Sequence, residues 1–366
     1  MGVFILLQDS ACVLIQLNAH DLDSLRGIVT TKSKNIFGFL KKAVYLQCLN
    51  PPRFPLEQRT RAELLFYIVW KYTKTAKSIT DLIEMLHERG LTISDVGKAQ
   101  DFFQKVSYFR IAAYLRPLEQ DKETHIYKPG STFESAVALY EFDSALRMLA
   151  FSCIQTIEIA LRSRMIQVFT EQYGPFWYSD ERLVNNKFNH VENISSLVQE
   201  LDRSKEEFIK DHYLKYGKES FPPAWKALEL ASFGNLTKFY FNFSDNKVKK
   251  QIARSFSIPQ HEVLESWMRS VGGLRNCCAH HNRIWNRNLM DSPQLPRKLS
   301  GLWLSDFNFP TFRLYAALSC MVYWLNAVQP ENTFVKDFKT LLAAHPEVDV
   351  NAMGFPAAWQ NEPLWK

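Results

Sequence analysis

The chain has 366 residues, enough to bury a sizeable core in one large or two ordinary domains. Its 46% hydrophobic and 22% charged residues are those of a soluble globular protein, and six scattered cysteines without a Cys-x-x-Cys pair argue against a disulfide scaffold or zinc ribbon and for a reducing cytoplasm. The net charge of +6 leans toward an anionic partner such as nucleic acid without establishing one.

Only 13 glycines and long periodic apolar patterns favour an all-α fold over a turn-rich β fold. The first residues, MGVFILLQDSACVLIQL, lack a basic leader, and Gln8 and Asp9 interrupt the apolar run, so no signal peptide is expected. Residues 1–73 alternate short apolar runs with Lys32, Lys34, Lys41 and Lys42 and a Pro51-Pro52 break, with no clear period. They read as an N-terminal extension, either a small appended element or no natural part of the folded unit. Residues 74–366 read as one all-helical domain, with no persistent strand pattern.

From Ser78 the pattern sharpens. Ser78-Ile-Thr-Asp81 has capping-box character, Ile79, Leu82, Ile83 and Leu86 repeat at helical spacing, and Gly90 is the stop. A second helix is expected from Ser94 to about Leu115. The longest periodic stretch starts near Ser131, keeps Leu146, Leu149, Cys153, Ile157, Leu161, Met165 and Val168 on one face, and ends at Gly174-Pro175. The charged stretch from Glu192 to Lys218 reads as a solvated helix with a loop. Further helices are expected near Trp225–Phe241, Asp245–Phe256, His261–Arg287, Phe312–Val328 and Thr333–Ala344. The apolar run from Leu314 to Val328 is short for a membrane span and reads as a buried core helix, so no membrane association is expected.

The chemistry concentrates in HEVLESWMRSVGGLRNCCAHHNRIWNR, residues 261–287. Leu264, Trp267, Val271, Leu274 and Cys278 make an apolar stripe that should face the core. Asn276, His280 and Arg283 share a second, polar stripe on a helix, and Arg275 lies beside it. An arginine fork binds phosphate oxygens and stays charged. A histidine moves protons near neutrality, and an asparagine can orient it or hold a phosphate. RNA brings its own nucleophile, the 2′-hydroxyl, so this set suits RNA cleavage without a cofactor or metal, and DNA should resist it.

Arg275-Asn276-Cys-Cys-Ala-His280 matches the R-N-x-x-x-H motif of HEPN ribonucleases, a helical-bundle superfamily, and RNCCAHHNRIWNR resembles the motif helix of the abortive-infection Abi-D/Abi-F family. SYFRIAAYL (107–115), YGPFWY (173–178), PPAWKALELASFGNLTKFY (222–240) and MGFPAAWQNEPLW (353–365) resemble further family segments in the right order. The resemblance covers roughly residues 74–366. It implies a HEPN-type bundle with additional helices, a toxin-like endoribonuclease acting in antiviral defence, and an active site shared between two motif helices. Arg254 and His261 satisfy only R-x6-H, with no Asn after the Arg and Pro259 between them, so one good copy of the motif is present and a homodimer is expected. By position, Arg275, Asn276 and His280 match the catalytic motif, and His281 and Arg283 match its flank. Tyr108, Arg110, Glu158 and Arg162 fall in other family blocks.

Blander readings stand beside these. Arg275 and His280 could merely bridge helices. Cys277, Cys278, His280 and His281 sit too close on one helix to converge on a tetrahedral zinc, so no metal is expected and buried thiols are the simpler role. Lys247, Lys249, Lys250 and Arg254 could guide an RNA backbone, although a solvated helix face is the first reading. Tyr108 and Arg110 could contact RNA or pack in the core. Glu158 and Arg162, four apart, read first as a structural ion pair and second as a support for the active-site arginine. The rival function is a non-catalytic RNA-binding or antitoxin-like regulatory protein; the third is a purely structural interaction protein. An RNA or protein antitoxin is the expected kind of neutralising partner.

Overall fold

In a computed structural model of the chain, the described residues are 2–8 and 11–17, as backbone only, and 75–366. The chain divides between Lys77 and Ser78 into two units. In the first, strands β1 (Gly2–Gln8) and β2 (Ala11–Leu17) pair antiparallel, from Gly2 opposite Leu17 to Gln8 opposite Ala11. No strand was expected in these residues. GVFILLQ and ACVLIQL are apolar apart from Gln8 and Gln16 rather than alternating, which hides the period of a strand, yet they are rich in residues that favour extended backbone. Lys32, Lys34, Lys41, Lys42 and the Pro51-Pro52 break lie outside the described residues.

The second unit is all-α apart from a small hairpin. Helix α1 (Ile79–Glu88) opens on the expected capping box, with Ser78 and Asp81 each accepting from the other's backbone N–H. Gly90 turns the chain out of it at φ +86°, a conformation a side chain resists. The single helix expected from Ser94 to Leu115 is two: α2 (Val96–Lys105) and α3 (Tyr108–Leu115), split by extended backbone at Val106 and Ser107. The β-branched Val106 favours extended backbone at that break, and Ser107 takes the N-cap position of α3 without a side-chain capping bond. A hairpin of β3 (Glu119–Asp121) and β4 (Ile126–Tyr127) follows.

Helix α4 (Phe133–Tyr173) runs for 41 residues from a Thr132 cap to Gly174 at φ +83°. It is the axis of the fold and contacts most later helices and α3. Its buried line runs through Leu139, Phe142, Leu146, Ala150, Ile154, Ile157, Leu161, Met165 and Val168, while Leu149 and Cys153 of the expected stripe are half-buried. Among the described residues α4 alone has the length and mean hydropathy, 1.3, of a membrane-crossing helix, but a third of that window is buried and Asp143 and Arg147 sit inside the core face.

The charged stretch after it is two helices, α5 (Lys187–Arg203) and α6 (Glu207–Tyr216), and neither is simply solvated. His190, Asn193, Leu197 and Leu201 of α5 and Ile209 and His212 of α6 are buried. Around Trp225 the chain makes one helical turn, Ala224–Ala227, and a 3-10 turn before α7 (Phe233–Asn242) restarts on a Ser232 cap. Helix α8 (Asn246–Ser255) is capped by Asp245, and α9 (His261–Ala279) carries the motif. Helices α10 (Leu314–Val328) and α11 (Phe334–Ala344) complete the bundle. Every residue of α10 from Leu314 to Leu325 is buried, as expected of a core helix. The C-terminal segment wraps onto α10 and α11 through Phe355, Trp359 and Trp365, and the Trp365 Nε1–H donates to Ser319 Oγ at 3.1 Å.

Candidate active site

Helix α9 buries Leu264, Trp267, Val271, Leu274 and Cys278, the whole expected stripe. Gly272 lets α7 come close, since a Cβ there would lie 3.0 Å from the Phe233 ring. The helix ends at Ala279, eight residues before the expected Arg287. His280 is its C-cap, and His281 adopts the left-handed conformation at φ +56°. The Asn282 N–H bonds to Cys277 O at 2.8 Å and the His281 N–H to Cys278 O at 3.1 Å, the paired bonds that close a helix where glycine usually stands. With histidine in that position, no sequence stop signal marked the end.

The reason for the early turn lies in α4. Asp143 is fully buried, and its carboxylate accepts from the Ile284 N–H at 3.1 Å, the Trp285 N–H at 2.6 Å, the Tyr114 hydroxyl at 2.6 Å and the Arg147 guanidinium. Burial pushes the Asp143 carboxyl above the ordinary carboxylate range, against the Tyr114, Trp285, Arg147 and Ile284 donors. Two backbone N–H groups of the segment after the motif are thereby fixed to the central helix. Asp143, Arg147 and Tyr114 escaped the sequence reading. The available signal was an opposite-charge pair four residues apart on an otherwise apolar helix face.

Arg275 leans against α4. Its Nε lies 3.7 Å from Glu158 Oε2 without a hydrogen bond, and its guanidinium carbon lies 5.8 Å from the centre of the Phe151 ring. Glu158 also accepts from Arg162 Nη2 at 3.1 Å, and the same Arg162 nitrogen donates to Ala231 O at 2.8 Å. Glu158 thus forms the expected ion pair with Arg162 on α4 and also lies beside Arg275. These three residues, with Phe151, Gln155 and Ile159, line an open groove of about 370 Å³. Glu158→Gln removes the shared charge and is expected to cost about 1–3 kcal/mol, read by urea denaturation, since it strips a charged partner from two half-buried arginines.

Asn276 and His280 are exposed, and no hydrogen bond or ion pair engages either side chain among the described residues. His280 follows Arg275 by five residues, roughly 140° around the helix, so one copy of α9 turns the guanidinium and the imidazole in different directions. His281 is exposed, and its carbonyl accepts from Arg110 Nη1 at 2.5 Å, which ties α3 to the turn after the motif. Tyr108 accepts from Arg89 at 3.4 Å.

Two expected placements are corrected. Arg283 is not on the motif helix, because the helix has ended; it is half-buried and donates to Ala113 O at 2.9 Å, away from the Arg275 groove. Lys249 is not on a basic face; it is 3% exposed and paired with Glu265, whose oxygen lies 2.5 Å away. Lys247 and Arg254 are exposed and Lys250 half-exposed. Burial pushes the Cys278 thiol up to about 12, and Cys277 is half-buried. Among the described residues no group of three or more His, Cys, Asp or Glu is placed to hold a metal ion.

A family model described as Abi-like protein matches residues 101–286, just over half of the chain. The chain belongs to the Abi-like protein family. Membership places it among abortive-infection proteins. The Abi-like match opens inside α2 and closes at Asn286, directly after Trp285, the last residue anchored by Asp143. It takes in Arg110, Asp143, Glu158, Arg162, Arg275, Asn276, His280, His281 and Arg283, and leaves α10, α11 and the segment 353–365 outside. Neither the curated proteins nor the solved structures give a match to the chain.

Proposed function

We propose that this Abi-like protein is an endoribonuclease of the HEPN type, related to the Abi-D/Abi-F proteins, that cuts RNA without a metal at a site completed by a second copy of the chain. The observation that carries the reading is the state of the motif side chains. The Asn276 and His280 side chains are exposed with no partner among the described residues, while Arg275 is braced by Glu158 at the rim of an open groove. If Asn276 and His280 only bridged helices, their side chains would be engaged with those helices.

In the proposed reaction the ribose 2′-oxygen attacks the adjacent phosphorus and the bond from phosphorus to the 5′-oxygen breaks. The attacking hydroxyl gives up its proton and the leaving oxygen gains one. His280 serves as general base or acid in that exchange. Arg275 offsets charge on the phosphoryl oxygens, and Asn276 orients one of these groups. The products are a 2′,3′-cyclic phosphate and a 5′-hydroxyl.

Divergence of Arg275 and His280 on one helix favours a site built from two. A surface for the second copy is available beside the groove. Met148, Ser152, Gln155, Ile159 and Ser163 form an exposed, uncharged line along α4, with Met148 73% and Ile159 55% exposed. Ile159→Arg is expected to weaken self-association more than tenfold and to lower RNA cleavage in parallel, read by sedimentation and by cleavage of labelled RNA, because an unpaired guanidinium would be desolvated at the contact.

One observation favours the non-catalytic rival: the Arg275–Glu158 pair could serve packing alone. Incubating the purified protein with single-stranded RNA and matched DNA in EDTA separates them. The proposed enzyme cuts the RNA only; a binding protein retains RNA and cuts neither.

A further inference from the structure

A further cavity is lined in part by the segment that follows the motif helix. It is open to solvent, with a volume of about 430 Å³, within the range of small-ligand sites, and is lined by Arg116, Pro117, Glu119, Lys122, Lys128, Arg283 and Asn286. Arg116 and Pro117 end α3, Glu119 lies on β3, Lys122 and Lys128 flank the hairpin, and Arg283 and Asn286 belong to the segment held by Asp143. None of the four cations makes a salt bridge among the described residues. Lys128 and Arg283 donate to backbone carbonyls, of Pro117 at 2.9 Å and of Ala113 at 2.9 Å; Arg116, Lys122 and Lys128 are exposed and Arg283 is half-buried. Burial holds the Arg283 guanidinium below its ordinary value, against the opposing pull of Tyr114 and Asp143, and the nearby Arg287 and Arg116 add a smaller lowering.

Concentrated positive charge of this kind is unfavourable until an anion enters. The single acid in the lining adds a second requirement. The Glu119 side chain is 6% exposed, and its Oε1 lies 3.1 Å from His125 Nδ1. Its Oε2 is buried with no hydrogen-bond partner. A buried acceptor left empty is costly, so a small turn of the Glu119 side chain toward the cavity it lines would be rewarded by an N–H or O–H donor beside the anion. A simple phosphate meets the first demand alone. A nucleotide meets both, with its phosphate among Arg116, Lys122, Lys128 and Arg283, and a base amino group or ribose hydroxyl donating to Glu119.

We propose that this cavity is a nucleotide-binding site in which the four cations hold the phosphate and Glu119 Oε2 reads a donor on the same nucleotide. The nucleotide comes from an RNA strand or from a free mononucleotide, and the chemistry is shared. Where it is a strand, the proposal rests on the ribonuclease reading, and Arg283, three residues beyond His280, gives the cleaved strand a second hold.

The test uses the full chain carrying His280→Ala, so that binding is measured apart from cutting. A labelled mixed-sequence RNA 12-mer is titrated by fluorescence anisotropy across a salt series, with 5′-mononucleotides as competitors. Replacing Arg116 and Lys122 together by alanine is expected to weaken binding about tenfold or more and to reduce the salt slope by about 1, since each phosphate contact to a single strand contributes about 0.7. Glu119→Gln is expected to weaken binding about tenfold, to change the preferred base, and to leave the salt slope unaltered. Displacement of the RNA by mononucleotides identifies a free-nucleotide site; resistance to displacement identifies a strand site. Absence of binding by the parent protein, or binding unchanged in both variants while their melting curves match the parent, overturns the proposal. Cleavage by the wild-type chain is scored separately, so failure here is distinct from failure of the ribonuclease reading.

Discussion

His280→Ala is expected to lower RNA cleavage by about 10²–10⁴-fold, the usual contribution of a positioned acid or base, while leaving the fold intact. The two halves of that expectation come from the same geometry. The imidazole is exposed at the C-cap of α9 and bonds to nothing else among the described residues, so its removal leaves no unsatisfied partner and no void. Surface changes of that kind stay within about 0.5 kcal/mol. Chemical denaturation and cleavage of labelled RNA, measured on the same preparation, therefore part company. A structural histidine gives the opposite pattern, with stability falling and activity following it down.

Asp143→Ala is expected to cost about 3–5 kcal/mol of stability, the range found when one member of a buried ion pair is removed. Arg147, with a side chain 7% exposed, would be left with a buried charge facing the Tyr114 hydroxyl alone. The Ile284 and Trp285 N–H groups would lose their acceptor inside the protein. Asp143→Asn keeps one acceptor oxygen but turns an amide toward donors, so a smaller loss is expected than for alanine. Urea denaturation of the two variants measures the order. Since Asp143 fixes the segment that leaves the motif helix, cleavage should also fall in Asp143→Asn at temperatures where it remains folded. A loss below about 1 kcal/mol in Asp143→Ala would mean that the network carries little of the fold.

Much of this was legible in the amino-acid order. The capping box at Ser78, the stop at Gly174 and the inward stripe of α9 all rest on local chemistry, which sequence spacing reports directly. The pairing of Glu158 with Arg162 followed from their separation of four, but its extension to Arg275 is a contact between helices and has no local trace. Helix ends decided by distant groups were missed for the same reason. The turn at His280 and His281 is set by Asp143, more than a hundred residues earlier, and neither glycine nor proline marks it. Arg283 moved from the motif face to a separate cavity as a direct result. Lys249 shows the converse limit: a lysine in a basic run reads as solvated, and only Glu265 on the next helix turns it inward.

The most direct measurement is the chemistry of the ends left on cut RNA. Single-stranded RNA incubated with the purified wild-type protein in EDTA, and analysed by mass spectrometry, should give fragments ending in 2′,3′-cyclic phosphate and beginning with 5′-hydroxyl. A single 2′-deoxy substitution at the cut position should abolish cleavage there. Fragments with 3′-hydroxyl and 5′-phosphate ends, or undiminished cutting at the deoxy position, would contradict attack by the ribose hydroxyl at the Arg275, Asn276 and His280 site.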